Sequence, residues 1–575
     1  MNGAADGHAG REGRTLVIGD PVFVLGGDDP IVDGALVIEG AEVTHAGPRE
    51  AMLAHGPFAR VLGSDNHVVL PGFVNCHYHS ELAIGPGLYQ HIFEKANVHI
   101  HAGTAPIDEA DLYDGVLWGL IAAIRGGQTG TVDMFYGRPG MPEFGAEAAL
   151  RAYADAGIRT AFGVVTRDQN RYAHEPDEEF LRRLTPDLAE EVRGSPMGYA
   201  WPVDEVMASF DRLFDTWHGY DDRLRLVTAP DWTPACSDEL YRRCREVADA
   251  RGTSMVTHVL ETRAEMLYNV AAYGKPAVRR LADLGVLTPE TVLAHFIWVT
   301  DEELSIFADS GAVCSNNPGS NLRLSSGICR TRDLLDVGGR VGFGTDGISF
   351  SDHEDFFQEL RLATYLQRTP GTFAAGRLDS AKVLTSAAES GAQALGLGGR
   401  LGALTPGHLA DLLVVDKARM FFPPGRFDAE PALDVVIDRA EARDIDTVMV
   451  GGRVLMEGGR ITVVDEDALR ERFAEAVASR VYRQNATTRR WAELGQLVEP
   501  TVVEMFSEWY EVPVEPAIAY NAARPAAAPA ATTFAAPTSA APTSAAPTPA
   551  APTPAAPTPG AATLAGVSSP EAAVD

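Results

Sequence analysis

The reading of the fold turns on Leu70-Pro71-Gly72-Phe73-Val74-Asn75-Cys76-His77-Tyr78-His79, an apolar run that closes in two histidines spaced i, i+2. On a β-strand that spacing sets both imidazoles on one face and turns Cys76 and Tyr78 to the other. Two imidazoles side by side at the C-terminal end of a strand begin a metal site, because neutral imidazole is the commonest metal ligand. Alone the pair is a weak signal, since polar residues are ordinary at a strand end. Its weight comes from the residues downstream.

Beyond this stretch, short apolar runs alternate with longer helical patterns. The runs are Val68–Asn75, Gly130–Phe135, Thr160–Val165, Leu224–Thr228, Ser254–Val259, Thr291–His295, Ala312–Ser315 and Arg340–Gly344. Repeated βα units of this kind predict an α/β fold, a (β/α)8 TIM barrel, whose chemistry collects at the C-terminal ends of the strands. Those ends are polar. The fifth run continues into Thr257-His258-Val259-Leu260-Glu261, the sixth ends in Leu293-Ala294-His295, and the eighth leads into Gly344-Thr345-Asp346. Singly, each is an ordinary hydrogen-bonded residue at a strand end. With His77 and His79 they make a set of three histidines and a carboxylate, plus two further acid/base groups.

On either side of the barrel the texture changes. Leu16-Val17-Ile18, Val22-Phe23-Val24-Leu25 and Ala35-Leu36-Val37-Ile38 are short β runs separated by Gly-Asp and Asp-Asp turn signals, and similar runs return at Ala410–Asp416 and Thr447–Val454. They predict a small β-sandwich domain built from both chain ends, with the barrel inserted between. The organisation expected is a disordered N-terminus (1–14), β-sandwich (15–70), barrel (71–397), β-sandwich again (398–464) and a helical extension (465–522). Leu469, Phe473, Val477 and Val481 carry the helical spacing of that extension. Residues 523–575 include an Ala-Pro-Thr repeat too poor in large apolar side chains to offset its ordering entropy, so an extended, disordered tail is expected.

Composition narrows the function classes. A formal net charge of −31 over 575 residues argues against nucleic acid or an anionic membrane surface as partner. The cysteines, Cys76, Cys236, Cys244, Cys314 and Cys329, are scattered and show no CxxC spacing, so neither a disulfide framework nor a thiolate zinc site is indicated. Neither an apolar leader nor a run of membrane-spanning length is present, and a soluble, cytoplasmic protein is expected.

At this point the chain resembles the amidohydrolase superfamily, within it the branch of triazine hydrolases, guanine deaminases and S-adenosylhomocysteine/methylthioadenosine deaminases. The stretches carrying the resemblance are Pro71–His79, His258–Thr262, Leu293–His295, Ser320–Gly327, Gly344–Gly347 and Leu404–Asp411. The resemblance implies one divalent metal, zinc first and iron as the rival, held by His77, His79, His258 and Asp346, with a water completing the site. It further implies Glu261 as the proton shuttle to a ring nitrogen, His295 orienting the water, and Asp346 taking the water's proton. Hydrolytic deamination of an amino-substituted heterocycle or amidine follows as the expected reaction, on a small-molecule substrate, in a homo-oligomer such as a dimer. Hydrolysis of another C–N bond or leaving group (formimino, cyclic amide or chloro-triazine) is the close alternative, and a non-catalytic binding protein on the same fold the remote one.

Two departures refine this. Members with two metals bridge them by a carboxylated lysine on the fourth strand, but lysine occurs here only at Lys95, Lys275, Lys382 and Lys417, far from Leu224–Trp232. A mononuclear site is expected. The nearest deaminases carry Ala-Pro-His-Ala on that strand, whereas this chain has Ala229-Pro230-Asp231-Trp232. Asp231 and Trp232 are therefore expected to touch a ligand of cationic or amidine character, the alternative being that they cap and pack the barrel mouth. The loop Gly85–Glu94 is expected to close over substrate, with Tyr89, His91 or Glu94 as contacts. Arg167 is a candidate for an anionic or carbonyl group, and Asn316, Asn317 and Asn321 for hydrogen bonds to a heterocycle. A second pair, His99 and His101, follows no apolar run and is not expected to bind metal.

Overall fold

In the computed structural model the chain passes into the barrel at Gly72. The strand His67–Pro71 pairs antiparallel with Leu412–Asp416, and Gly72 N–H then donates to the Asp411 carbonyl at 3.0 Å. The first barrel strand, Phe73–Tyr78, starts one residue later. The run Val68–Asn75, expected as a single barrel strand, is thus two strands in two different sheets. The reason is the close approach at the junction: a Cβ on residue 72 would stand 2.3 Å from Thr129 Cγ2, so only glycine lets the chain turn there. The structure describes residues 13–26, 30–84, 92–102, 108–136, 144–351, 354–368, 378–421, 432–478 and 486–512. The expected disordered N-terminus (but for its last two residues) and the Ala/Pro/Thr-rich tail lie outside them, as do Tyr89 and His91.

Seven further barrel strands follow, all parallel: Gln128–Phe135, Arg159–Thr166, Leu224–Leu226 continued by Ala229–Pro230, Met255–Val259, Thr291–His295, Val313–Asn316 and Arg340–Phe343. The fourth is broken in two yet closes the ring. It pairs with the third strand on one side and on the other reaches the fifth by bridges at Thr228–Met255 and Trp232–His258. The alternation expected in the first strand is present. His77 faces the barrel mouth, while Val74 and Cys76 face away, closed over by Gly391 of the helix Ser380–Ala394 and by Gly342 of the last strand.

The short β runs at the two ends of the chain form two sheets. One is four-stranded (Glu42–Pro48, Gly34–Glu39, Arg14–Gly19, Arg60–Gly63), its last pair parallel; the other is a five-stranded antiparallel sheet ending in Leu412–Asp416 and His67–Pro71. A shared apolar core holds Val17, Leu36 and Val43 of the first against Val69, Leu412, Val414 and Met449 of the second. Arg159 of the third barrel strand ties the barrel to this unit through a bidentate pair with Asp411, at 2.8 and 2.9 Å, with both side chains almost completely buried. Beyond the sheets lie the helices Glu466–Ala476 and Ala486–Glu511, and the second rests against the helix Phe93–Ala102 that follows the first barrel strand. No described helix is long and apolar enough to cross a membrane.

Candidate active site

At the strands' C-terminal ends three imidazoles and a carboxylate converge. His77 Nε2 lies 2.9 Å and His79 Nε2 3.3 Å from Asp346 Oδ1, and His258 Nε2 is 3.3 Å from His79 Nε2. Ligands on a tetrahedral cation at zinc–nitrogen bond lengths stand about 3.3 Å apart, so these spacings are those of a metal centre. The back sides of the rings fix their tautomers. His79 Nδ1 faces the Met134 carbonyl at 2.6 Å and His258 Nδ1 the Asp231 carbonyl at 2.8 Å, so each Nδ1–H donates outward and leaves the Nε2 lone pair to the centre. His77 Nε2 is fully buried and makes no hydrogen bond despite its nearness to Asp346, an orphaned donor atom of the kind a cation satisfies.

The electrostatics agree. Burial raises the Asp346 carboxyl, but His77 and His79 beside it outweigh that and hold it well below the usual carboxylate range. Burial lowers His79, yet Asp346 and Glu81 overcome this and carry it up to about 9. The cluster therefore attracts positive charge. Asp346 is fixed by Ser320 Oγ, which donates to Oδ2 at 2.5 Å, and by its own N–H on the His77 carbonyl at 3.0 Å. Its φ of 64° is left-handed, as are those of Leu260 (56°) and His295 (71°), so three strand ends carry the strain typical of functional turns.

Glu261 and His295 stand beside the cluster. Burial, followed by the nearby carboxylates of Asp346, Glu265 and Glu94, pushes the Glu261 carboxyl well above its usual 4.5. Its Oε2 is 3.7 Å from His295 Nε2, and Ser326 Oγ donates to Oε1 at 3.4 Å. His295 Nδ1 is 3.0 Å from Asn321 Oδ1 and 3.2 Å from Asn317 Nδ2, and burial lowers its pKa to about 4. A neutral imidazole donating to Asn321 turns a bare Nε2 toward the cluster.

Over this floor opens a cleft walled by Phe93, Tyr136, Tyr199, Trp201, Trp232 and Phe350. Several expected substrate contacts are placed differently. Asp231 lines the cleft, but its Oδ1 accepts from Tyr136 at 2.6 Å and its Oδ2 lies 3.7 Å from Arg167, so it is not a free anion awaiting a cationic ligand. Arg167 lines the cleft too, its Nη2 spent on the Tyr199 carbonyl at 2.7 Å. Glu94 does not line it. Its carboxylate turns to Tyr510, whose hydroxyl donates to Oε1 at 2.6 Å. Asn316, Asn317 and Asn321 sit behind His295, held among themselves and by Ser315 and Thr331, and orient that ring instead of meeting a heterocycle. Trp232 stands in the cleft wall. Tyr136, Ser320 and Ser326 were not anticipated; Tyr136 could have been, because it directly follows the second barrel strand, where side chains enter the mouth.

Fold and site together define a (β/α)8 hydrolase with a metal-binding floor. The amidohydrolase family profile matches residues 68–455, and the chain belongs to that family. Among curated relatives it is 29% identical over 459 residues to the 5'-deoxyadenosine deaminase of Methanosarcina barkeri, covering 79% of this chain and 95% of the relative. It is 28% identical to the 5-methylthioadenosine/S-adenosylhomocysteine deaminase of Syntrophobacter fumaroxidans, covering 80% and 96%. Two solved structures share the fold. One is an adenosine deaminase from Xanthomonas campestris with bound zinc (TM-score 0.68, 23% identity, 84% of this chain and 98% of that one). The other is the atrazine chlorohydrolase of Arthrobacter aurescens complexed with zinc (TM-score 0.69, 21% identity, 80% and 100%).

Proposed function

We propose that this enzyme is a hydrolytic deaminase that uses one divalent cation, zinc, to replace the exocyclic amino group of a planar heterocycle, releasing ammonia. His77, His79, His258 and Asp346 would hold the cation. When bound there, it would supply Lewis acidity and lower the pKa of a water at the cleft floor. The observation that carries the reading is the pairing of this donor set with Glu261, a buried carboxyl whose pKa burial and neighbouring carboxylates push well above its usual range, as a proton donor needs. Glu261 donates its proton to the ring nitrogen next to the amino-bearing carbon, which makes that carbon electrophilic. Asp346, kept ionised by its histidines, accepts the proton of the attacking water as the C–O bond forms. His295, neutral and aimed by Asn321, orients the water. Asp346 then returns the proton to the leaving nitrogen, the C–N bond breaks, and the proton left on the newly added hydroxyl passes to Glu261 as the carbonyl forms, restoring the acid. The aromatic walls select flat rings, in keeping with relatives named for deamination of adenosine derivatives.

Metal analysis of the purified protein is expected to give about one zinc per chain, with activity lost on chelation and restored by zinc. Ammonia release is to be measured across 5'-deoxyadenosine, adenosine, aminopyrimidines, aminotriazines, guanidines and formimino compounds, with chloro-triazines testing the other leaving group. Turnover that survives complete metal removal would overturn the reading.

A further inference from the structure

The helix Ala486–Glu511 lies far along the chain from the residues that line the cleft, yet two lines of contact run from it to one aromatic pair. The first begins at Phe506, which meets the His174 ring edge-on with centroids 4.8 Å apart. His174 in turn meets Trp232 at 4.8 Å, and Trp232 is cleft wall. The second begins at Tyr510, whose hydroxyl bonds Glu94 at 2.6 Å. Glu94 follows Phe93, also cleft wall, in the helix Phe93–Ala102. The next residue, Lys95, is paired with Glu499 of the same C-terminal helix at 2.8 Å. Both lines end on neighbours, because Phe93 and Trp232 pack against each other with centroids 5.5 Å apart.

His174 makes the first line unusual. It is buried, and neither ring nitrogen has a hydrogen-bond partner among the described residues. A buried polar ring without partners calls for an explanation. The rings of Trp232, Phe506 and Tyr268 pack against it, so it joins the helix to the wall as one of a cluster of flat rings.

We propose that Phe506 and Tyr510, acting through His174 and Glu94, are positioning residues that set where Trp232 and Phe93 stand in the cleft. The C-terminal helix thereby governs how tightly the heterocycle is held and leaves the hydrolytic step to the floor. This rests on reading the cleft as the substrate site. It also explains why Glu94 is not itself a substrate contact.

The test uses full-length Phe506→Ala, Tyr510→Phe and Phe506→Tyr proteins. Turnover is followed on 5'-deoxyadenosine, or on the fastest compound of the panel above, and hydrogen exchange is followed at residues 92–98 and 231–236. Phe506→Ala and Tyr510→Phe are expected to raise KM roughly three- to tenfold, the scale of one lost aromatic or hydrogen-bonded support, with kcat within about twofold. Metal content stays at the wild-type value, and exchange rises in both segments. Phe506→Tyr, which keeps the ring, retains the wild-type KM. Unchanged KM and unchanged exchange in both segments would overturn the proposal, as would a parallel loss of kcat, metal and fold. Should Phe506→Ala not fold, Tyr510→Phe removes only a hydroxyl and tests the second line alone. A wild-type protein that turns over nothing in the panel refutes the substrate reading, whereas the exchange measurement judges the helix-to-wall coupling by itself.

Discussion

Glu261 and Glu359 are both buried carboxyls, but their surroundings give them different consequences. Glu261 faces the cleft floor, and substitution by glutamine removes the proton it would donate while keeping its volume. Glu261→Gln is expected to lower kcat by about 10²- to 10⁴-fold with the metal retained, checked by steady-state rates beside metal analysis. Glu359 lies behind the site, where its Oε2 accepts the Gly319 N–H at 2.8 Å and burial raises its pKa from 4.5 to about 8. Its folded form therefore keeps a proton that the unfolded chain releases, so stability is fully present below about pH 4.5 and is lost as pH rises toward 8. The slope from this group approaches about 1.4 kcal/mol per pH unit inside that window. Glu359→Gln keeps an acceptor for Gly319 without the titration. Thermal melts from pH 5 to 8 are expected to show a flatter profile for the variant and a higher Tm than wild type at the alkaline end.

At the scale of strands and helices, the junction at Gly72 is the tightest constraint between sequence and architecture. A methyl group there collides with Thr129. Gly72→Ala is expected to cost about 1–3 kcal/mol, read as a drop in the denaturation midpoint. The same junction shows where reading the sequence stops working. Val68–Asn75 reads as one apolar run because both halves are buried strands, and a reading by texture passes over the Pro71-Gly72 pair inside it, the turn signal that marks the change of sheet. The strand ends were legible for the opposite reason. His258, His295 and Asp346 each stand just after an abrupt switch from apolar to polar, the pattern a barrel mouth imposes. Asp231 shows the limit of that rule. Its place at the mouth was readable, but its partners Tyr136 and Arg167 come from the second and third strands, and only the closed ring brings them within reach. Glu94 fell outside it altogether, since its partner Tyr510 is over 400 residues away along the chain.

For the molecule as a whole, the pair between Arg159 and Asp411 is the principal buried charge joining the barrel to the sheets. Asp411 also accepts the Gly451 N–H at 2.8 Å, so its loss leaves both a cation and a backbone donor unsatisfied. Asp411→Ala is expected to destabilise the protein by about 3–5 kcal/mol, while a paired replacement of Arg159 and Asp411 by apolar residues recovers most of that, measured by denaturant melts of the single and double variants. Sheet connectivity has a further consequence during synthesis. One edge of the strand His67–Pro71 meets the early segment Asp20–Phe23, but the other waits for Leu412–Asp416, some 340 residues later. At translation speeds of about 5–20 residues per second, the nascent chain would leave the ribosome with that apolar edge uncovered for roughly 20–70 s. During that interval the edge is a template for pairing with other nascent chains. Slower, cooler expression or added chaperone is therefore expected to raise the soluble yield of this enzyme, although the finished fold shows no trace of the hazard.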